Sequence, residues 1–344
     1  MKFRELEVIR AIAAVYVALS HYAEFLKLDK SNIFELIFGS FAQEMVICFF
    51  LLSGFVIEHS YSRRKISWKK FLIKRFVRIY PILIVALSIS LIIDIRLDNR
   101  IEMDKLLGNF FSLQDLGGRP GVMYGTYYNN ALWSLSYEWW FYVIYIVINQ
   151  LKKKKIVFVI GLIIISTILY HFYEFQIFRW LKYFSIWYSG VVLNQLYRVS
   201  QLNFRSVSFR IILPLLFIPM IQSLLIFINS AYVSIASNKP LNFELLMEFR
   251  HFLASIAIIV LVLLYRKTGM SFFRNSYVEY VSTFSYGIYV LHYPILYLFG
   301  NSTDFIYLTI IFISTLLLSL ILERVIQKKI SNYVFQQNWY QKIL

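Results

Sequence analysis

Cysteine is almost absent from this chain of 344 residues: Cys48 stands alone, inside an apolar run. A single cysteine excludes an intrachain disulfide framework and any site built from several cysteine ligands, and no metal is expected. Charge is scarce as well, at 16% of residues, where a soluble domain carries about a quarter. Hydrophobic residues make up 59% and the mean hydropathy is +0.62, so the apolar surplus must face something other than water. Internal repeats and low-complexity tracts are missing. So is the alternating polarity of membrane strands, which recurs in ~10-residue segments. A cleavable signal peptide is not expected: Lys2 and Arg4 would form its basic start, but Glu5, Glu7 and Arg10 interrupt the apolar stretch and no clear cleavage site follows.

What the sequence does contain is apolar runs of roughly membrane-spanning length. They lie near residues 6–26, 40–59, 79–95, 131–150, 156–173, 177–196, 210–230, 247–266, 279–299 and 304–326. Backbone in a bilayer must satisfy its own hydrogen bonds, so helices are expected. The fold class is therefore all-α, a polytopic membrane protein of about ten transmembrane helices. The net charge of +16 would suit nucleic acid, but the bases cluster between the apolar runs, so no nucleic-acid partner is expected. With the N-terminus in the cytoplasm, 25 of the 35 bases fall in cytoplasmic segments, and the outer loops hold only Lys27, Lys30, Arg96, Arg100, Lys105, Arg119 and Lys239. The asymmetry recurs loop after loop and places both termini inside.

Two connections stand out. The stretch at 96–130 carries "GGRPG" and "YGTYYNN", and loops of this length are often functional, so it is expected either to fold over an outward-facing pocket or to be a plain connector. "ISWKKFLIKRFVRIYP" at 66–81 reads as an interfacial basic helix, held by anionic lipid, with the next span starting at Pro81. Lipid binding does not require Arg75 and Arg78 three residues apart on one helical face.

Ionisable side chains inside a span are costly and mark functional candidates. Arg10 and His21 are eleven residues apart, which sets them within ~20° of one helix face and ~16 Å apart along it. The plainer readings are a snorkelling anchor for Arg10 and a packing residue for His21. Partners exist in other spans. Glu138 in "ALWSLSYEWWFYVIYI" is expected at a depth similar to His21, with Ser134 and Ser136 beside it, and His292 in "YGIYVLHYP" at a comparable level. Two groups result: Arg10, Arg75 and Arg78 on the cytoplasmic side, and His21, Glu138 and His292 further out. Arginine forks match phosphate, and a histidine of pKa near ~6.5 suits general-base work, with Glu138 expected to orient its ring.

These residues also fall in ordered blocks: Arg10 and His21, "FFLLSGF" at 49–55 with Ser53 and Gly54, "RFVRIYP" with Arg75 and Arg78, "WSLSYE" at 133–138, and "SYGIYVLHYP" at 285–294. In this the chain resembles acyltransferase family 3, polytopic bacterial membrane enzymes that O-acetylate surface polysaccharides. The resemblance implies an acyl-CoA donor, usually acetyl-CoA, entering from the cytoplasm, and a glycan hydroxyl as acceptor at the outer side of the inner (plasma) membrane. It implies a catalytic His21 supported by Glu138, CoA-binding Arg10, Arg75 and Arg78, and substrate-binding or supporting roles for Ser53, Trp133, Ser136 and His292. One departure is "MVICFF", where Met45 and Ile47 replace the family's Gly-Val-acidic lead-in; Glu44 lies just before.

The expected function is a membrane O-acyltransferase of one domain, residues 1–344, with no appended soluble domain. His21 would deprotonate the acceptor or carry the acyl group itself, and the sequence leaves both routes open. The expected partners are membrane lipid, acyl-CoA and a glycan acceptor, with homo-oligomerisation left open. A transporter or flippase of a glycan or acyl precursor would use ten charged helices equally well, though the paired halves common in transporters are not seen. A third alternative is a non-catalytic scaffold.

Overall fold

A computed structural model describes residues 4–27, 37, 39, 41–64, 66–97, 101–117, 119, 121–151, 155–199, 207–237, 244–268, 276–299, 304–337 and 340; for residues 4, 64, 207–211, 244–245 and 265–268 it describes the backbone alone. Of the bases that set the expected orientation, Lys2, Lys65, Lys152 to Lys154, Arg205, Arg274 and Lys342 lie outside the described residues, as do Lys30, Arg100 and Lys239.

The helices are α1 (Arg4–Leu26), α2 (Ala42–Arg64), α3 (Trp68–Arg96), α4 (Met103–Phe110), α5 (Trp133–Gln150), α6 (Lys155–Tyr173), α7 (Gln176–Arg198), α8 (Val207–Ser237), α9 (Glu244–Thr268), α10 (Ser276–Ser282), α11 (Ser285–Phe299), α12 (Phe305–Ile321) and α13 (Gln327–Gln336). Eight of the described helices are long and apolar enough to cross a membrane: α1, α2, α3, α5, α6, α8, α9 and the rod of α12 and α13. The molecule is an all-α polytopic membrane protein. The runs at 177–196 and 279–299 fall short for different reasons. The first, α7, carries the buried bases Arg179 and Lys182. The second is broken into α10 and α11, and α11 has only 15 residues.

One other expectation changes, and one left between two alternatives is decided. Residues 68–96 form one helix that runs through Pro81, so no new span starts there. Its start is fixed by Ser67, whose Oγ accepts from the Lys70 N–H at 3.4 Å. The 96–130 connection is a folded unit. It holds α4 and a short parallel pairing of β1 (Gln114–Asp115) with β2 (Tyr124–Gly125). Asp94 at the end of α3 accepts from the Tyr127 and Tyr128 hydroxyls at 2.6 and 3.1 Å. Asn129 donates to the Val290 carbonyl at 2.9 Å and Asn130 to the Tyr293 hydroxyl at 3.0 Å, which ties the connection to α11 on either side of His292.

Helices α2 and α7 pack backbone against backbone. A Cβ on Gly54 would lie 1.9 Å from the Trp187 carbonyl oxygen, and one on Gly190 would lie 2.1 Å from that of Leu51. Each backbone occupies the space the other glycine leaves, which is how small residues let membrane helices approach. This contact fixes Ser53, the neighbour of Gly54, against α5.

Candidate active site

The break between α10 and α11 leaves helix-end groups that need partners inside the bundle. Charged side chains supply them. Arg10 of α1 donates through Nη2 to the Ser282 carbonyl at 3.1 Å, at the end of α10. Glu323 accepts from the Gly287 N–H at 2.8 Å, in the first turn of α11. Glu323 lies in a five-residue π-helical segment, Leu322–Ile326, between α12 and α13. A π-turn of this kind often marks a functional position. The same carboxylate pairs with Arg78, whose Nη1 also donates to Gln327 Oε1 at 2.9 Å. Gln327 Nε2 donates back to the Arg78 carbonyl at 2.9 Å.

Beside this junction is a cavity of about 310 Å³ lined by Arg10, Arg75, Arg78, Ser53, Ser134 and Glu138, among other residues. Arg75 lies over the rings of Phe71 and Tyr142, at 5.4 and 5.7 Å from their centroids. Its Nε and that of Arg10 are buried with no hydrogen-bond partner among the described residues. A buried guanidinium N–H left unpaired costs free energy, so these groups are poised for an anion the protein itself does not provide. The structure thus brings the three arginines together, as expected.

It also brings Glu138 to them. Ser53 Oγ donates to Glu138 Oε1 at 2.6 Å, and the Tyr142 hydroxyl donates to the same oxygen. These bonds turn the carboxylate into the arginine cavity. The histidine ring expected to rest against Glu138 rests on a different partner.

That partner is His292. His21 Nδ1 and His292 Nε2 are 2.9 Å apart, and the rings stack with centroids at 5.1 Å. Tyr293 meets His21 edge-on at 5.0 Å. The direction of the bond follows from the next one: His292 Nδ1 lies 3.0 Å from the Ile288 carbonyl, which can only accept. His292 therefore donates from Nδ1 and accepts at Nε2, so His21 donates from Nδ1. Its Nε2 is left with a lone pair and no hydrogen-bond partner among the described residues. A backbone carbonyl thus sets the tautomer of both rings.

His21 lines a second cavity, of about 300 Å³, with Ser20, Glu24, Gln43, Glu44 and Arg250 among its walls. Glu44 pairs with Arg250 at 2.5 Å. Ile47, in the family's acidic position, is fully buried in the core. Tyr289, a wall of the arginine cavity, meets the His292 ring at 6.1 Å and Phe49, another wall of it, at 5.6 Å. Tyr289 and His292 thus link a wall of the arginine cavity to His21 in the wall of the second.

Two expected supporting residues stand elsewhere. Ser136 Oγ donates to the Trp133 carbonyl one turn back, at 2.8 Å. Trp133 stacks on His251, with ring centroids 6.1 Å apart, and carries Arg119 over its face at 4.4 Å. Both belong to the opposite face of α5. That face borders a buried ionic cluster absent from the sequence expectations. Asp115 pairs with Arg119 at 2.9 Å and with Arg179 at 2.8 Å, and accepts from the Tyr137 hydroxyl at 2.7 Å. Glu248 pairs with Arg179 at 3.2 Å and with Lys182. Burial works against the charge of Arg119 and Asp115 outweighs it, so this loop guanidinium has a pKa above its ordinary value. The sequence signal was available: Arg179 and Lys182, and likewise Glu248 and His251, are three residues apart on one helical face within apolar runs. Glu323 and Gln327 were missed in the same way.

Searches of curated proteins and of solved structures found no match. A family profile described as an acyltransferase domain matches residues 3–324. That match spans all five motif blocks and both cavities, and by it the chain belongs to acyltransferase family 3, and the protein is a membrane acyltransferase.

Proposed function

We propose that this enzyme moves an acyl group, acetyl in the simplest case, from cytoplasmic acyl-CoA to a hydroxyl of a cell-surface or lipid-linked glycan at the outer side of the inner membrane. The arrangement then has ten spans, with α7 and the α10–α11 pair crossing among the others, and both termini in the cytoplasm. Residues 1–344 act as one membrane acyltransferase domain. The observation that carries this reading is the division of labour along α1: at one end Arg10, whose buried Nε has no hydrogen-bond partner among the described residues, and at the other His21 with a free lone pair.

The phosphates of the donor dock on Arg10, Arg75 and Arg78, and the acyl end passes Phe49 and Tyr289 toward His21. His21 Nε2 takes the proton of the acceptor hydroxyl. The hydroxyl oxygen forms the new C–O bond to the acyl carbon, the C–S bond breaks, and the proton goes to the departing thiolate, which leaves as free thiol. Glu138 acts from the arginine side, where its charge balances part of the three cations once the donor has left.

The test is transfer of labelled acetyl from acetyl-CoA to glycan by protein in detergent. Activity without two compartments supports an enzyme over a transporter; its absence under conditions where the protein remains folded overturns the reading. Arg75 is the clean probe of the donor side, since Arg78 is also tied to Glu323. Arg75→Ala is expected to raise the KM for acetyl-CoA about 10- to 100-fold, from the loss of ~1.5–3 kcal/mol per charge-assisted bond. An unchanged KM removes the phosphate-docking role.

A further inference from the structure

We propose that the second cavity is the acceptor subsite, and that it selects a neutral polyol, an uncharged hydroxyl-rich sugar ring, through Gln43 and Glu44. The inference rests on His21 being the reacting base.

The wall chemistry points to the ligand class. Glu44 is 9% exposed, yet its Oε2 is buried and has no hydrogen-bond partner among the described residues; its other oxygen is held by Arg250. Gln43 Oε1, in the same wall, is also buried without a partner. His21 Nε2 adds a third lone pair. Two buried acceptors without a partner, beside the His21 lone pair, call for a ligand that brings several donors, because each buried acceptor left unmade carries a desolvation cost. A ring bearing adjacent hydroxyls offers donors at such spacings. One hydroxyl meets His21 and is acylated; its neighbours donate to Glu44 and Gln43 and hold it there. The same acceptors set the second selection. Glu44 Oε2 and Gln43 Oε1 both present lone pairs to the cavity, and an ionised carboxylate or phosphate brings only further lone pairs to meet them. A sugar carrying a carboxylate or phosphate near the reacting hydroxyl is excluded. Glu44 gains a role particular to this chain, one turn before the position where the family's acidic residue is replaced by Ile47.

The experiment uses membranes containing the full-length protein and their own glycan, with labelled acetyl-CoA. Two soluble probes compete: methyl β-D-glucopyranoside, neutral, and D-glucuronate, the same ring with a carboxylate. The neutral probe is expected to inhibit glycan acetylation at least about tenfold more effectively. Glu44→Gln and Gln43→Leu are expected to slow transfer about tenfold or more and to weaken inhibition by the neutral probe, with CoA binding by equilibrium dialysis unchanged. Gln43→Leu changes no charge and no ion pair, and so serves where Glu44→Gln fails to fold. Equal inhibition by glucuronate, no inhibition by either probe, or variants that acetylate like wild type would each overturn the proposal. His21→Ala separates the two levels. Full transfer in that variant defeats the catalytic reading beneath; lost transfer beside unaltered Gln43 and Glu44 variants defeats the subsite alone.

Discussion

His21→Ala protein is expected to bind acetyl-CoA as wild type does and to transfer its acyl group about 10²- to 10⁴-fold more slowly, the usual contribution of a positioned base. The geometry makes the separation clean. His21 does not line the arginine cavity, so its loss leaves the donor contacts in place. It does line the second cavity, with a lone pair directed by the His292 and Ile288 bonds. His292→Phe is expected to fall between the two. It keeps a ring in the stack but removes the acceptor that fixes the His21 tautomer. Labelled-acetyl transfer measured beside CoA binding by equilibrium dialysis checks both variants. Transfer by His21→Ala within a few-fold of wild type would remove the residue from the chemistry.

The largest loss of stability is expected from Glu248→Gln. Glu248 holds Lys182 and Arg179, both fully buried, and accepts from the Tyr170 hydroxyl at 3.0 Å. Without its charge, Arg119, Arg179 and Lys182 share Asp115 alone in the interior. Removing one partner of a buried pair costs about 3–5 kcal/mol, because the other charge is left uncompensated. Removing both together costs much less, so Glu248→Gln with Lys182→Met should recover most of the loss. Unfolding of the single and double variants in mixed micelles measures the coupling. Additive losses would show that the pair is not coupled.

The ten apolar runs each coincide with helix, because hydropathy is a local property that a window can read. The break between α10 and α11 was not legible. The groups that sustain it, Arg10 and Glu323, lie 272 and 36 residues from their partners, and no window reaches that far. The arginine group could be read from helical spacing and the basic side of each span. The depth of Glu138 could be read only to within a turn or two; its alignment with the arginines depends on Ser53 and Tyr142 turning its carboxylate. The pairing of His21 with His292 joins residues 271 apart and was open to sequence only as a shared level. The ionic cluster was in plain view. Of the 35 bases, only Arg179, Lys182 and Arg250 fall in neither the inner nor the outer connections. All three are held by a carboxylate inside the bundle: Arg179 by Asp115, Lys182 by Glu248 and Arg250 by Glu44.

The pair of histidines ends on the Ile288 carbonyl, and that makes it a cul-de-sac for protons. Both nitrogens of His292 are committed, so a proton taken up at His21 Nε2 has no onward route and must leave through the same atom. A nitrogen already carrying an acyl group could not also accept the acceptor's proton. With His21 as the base, donor and acceptor therefore have to be present together before either product departs. Catalysis is then sequential and not ping-pong: initial-rate lines at varied acceptor intersect, and exchange of label between acetyl-CoA and free CoA does not occur until a sugar is bound.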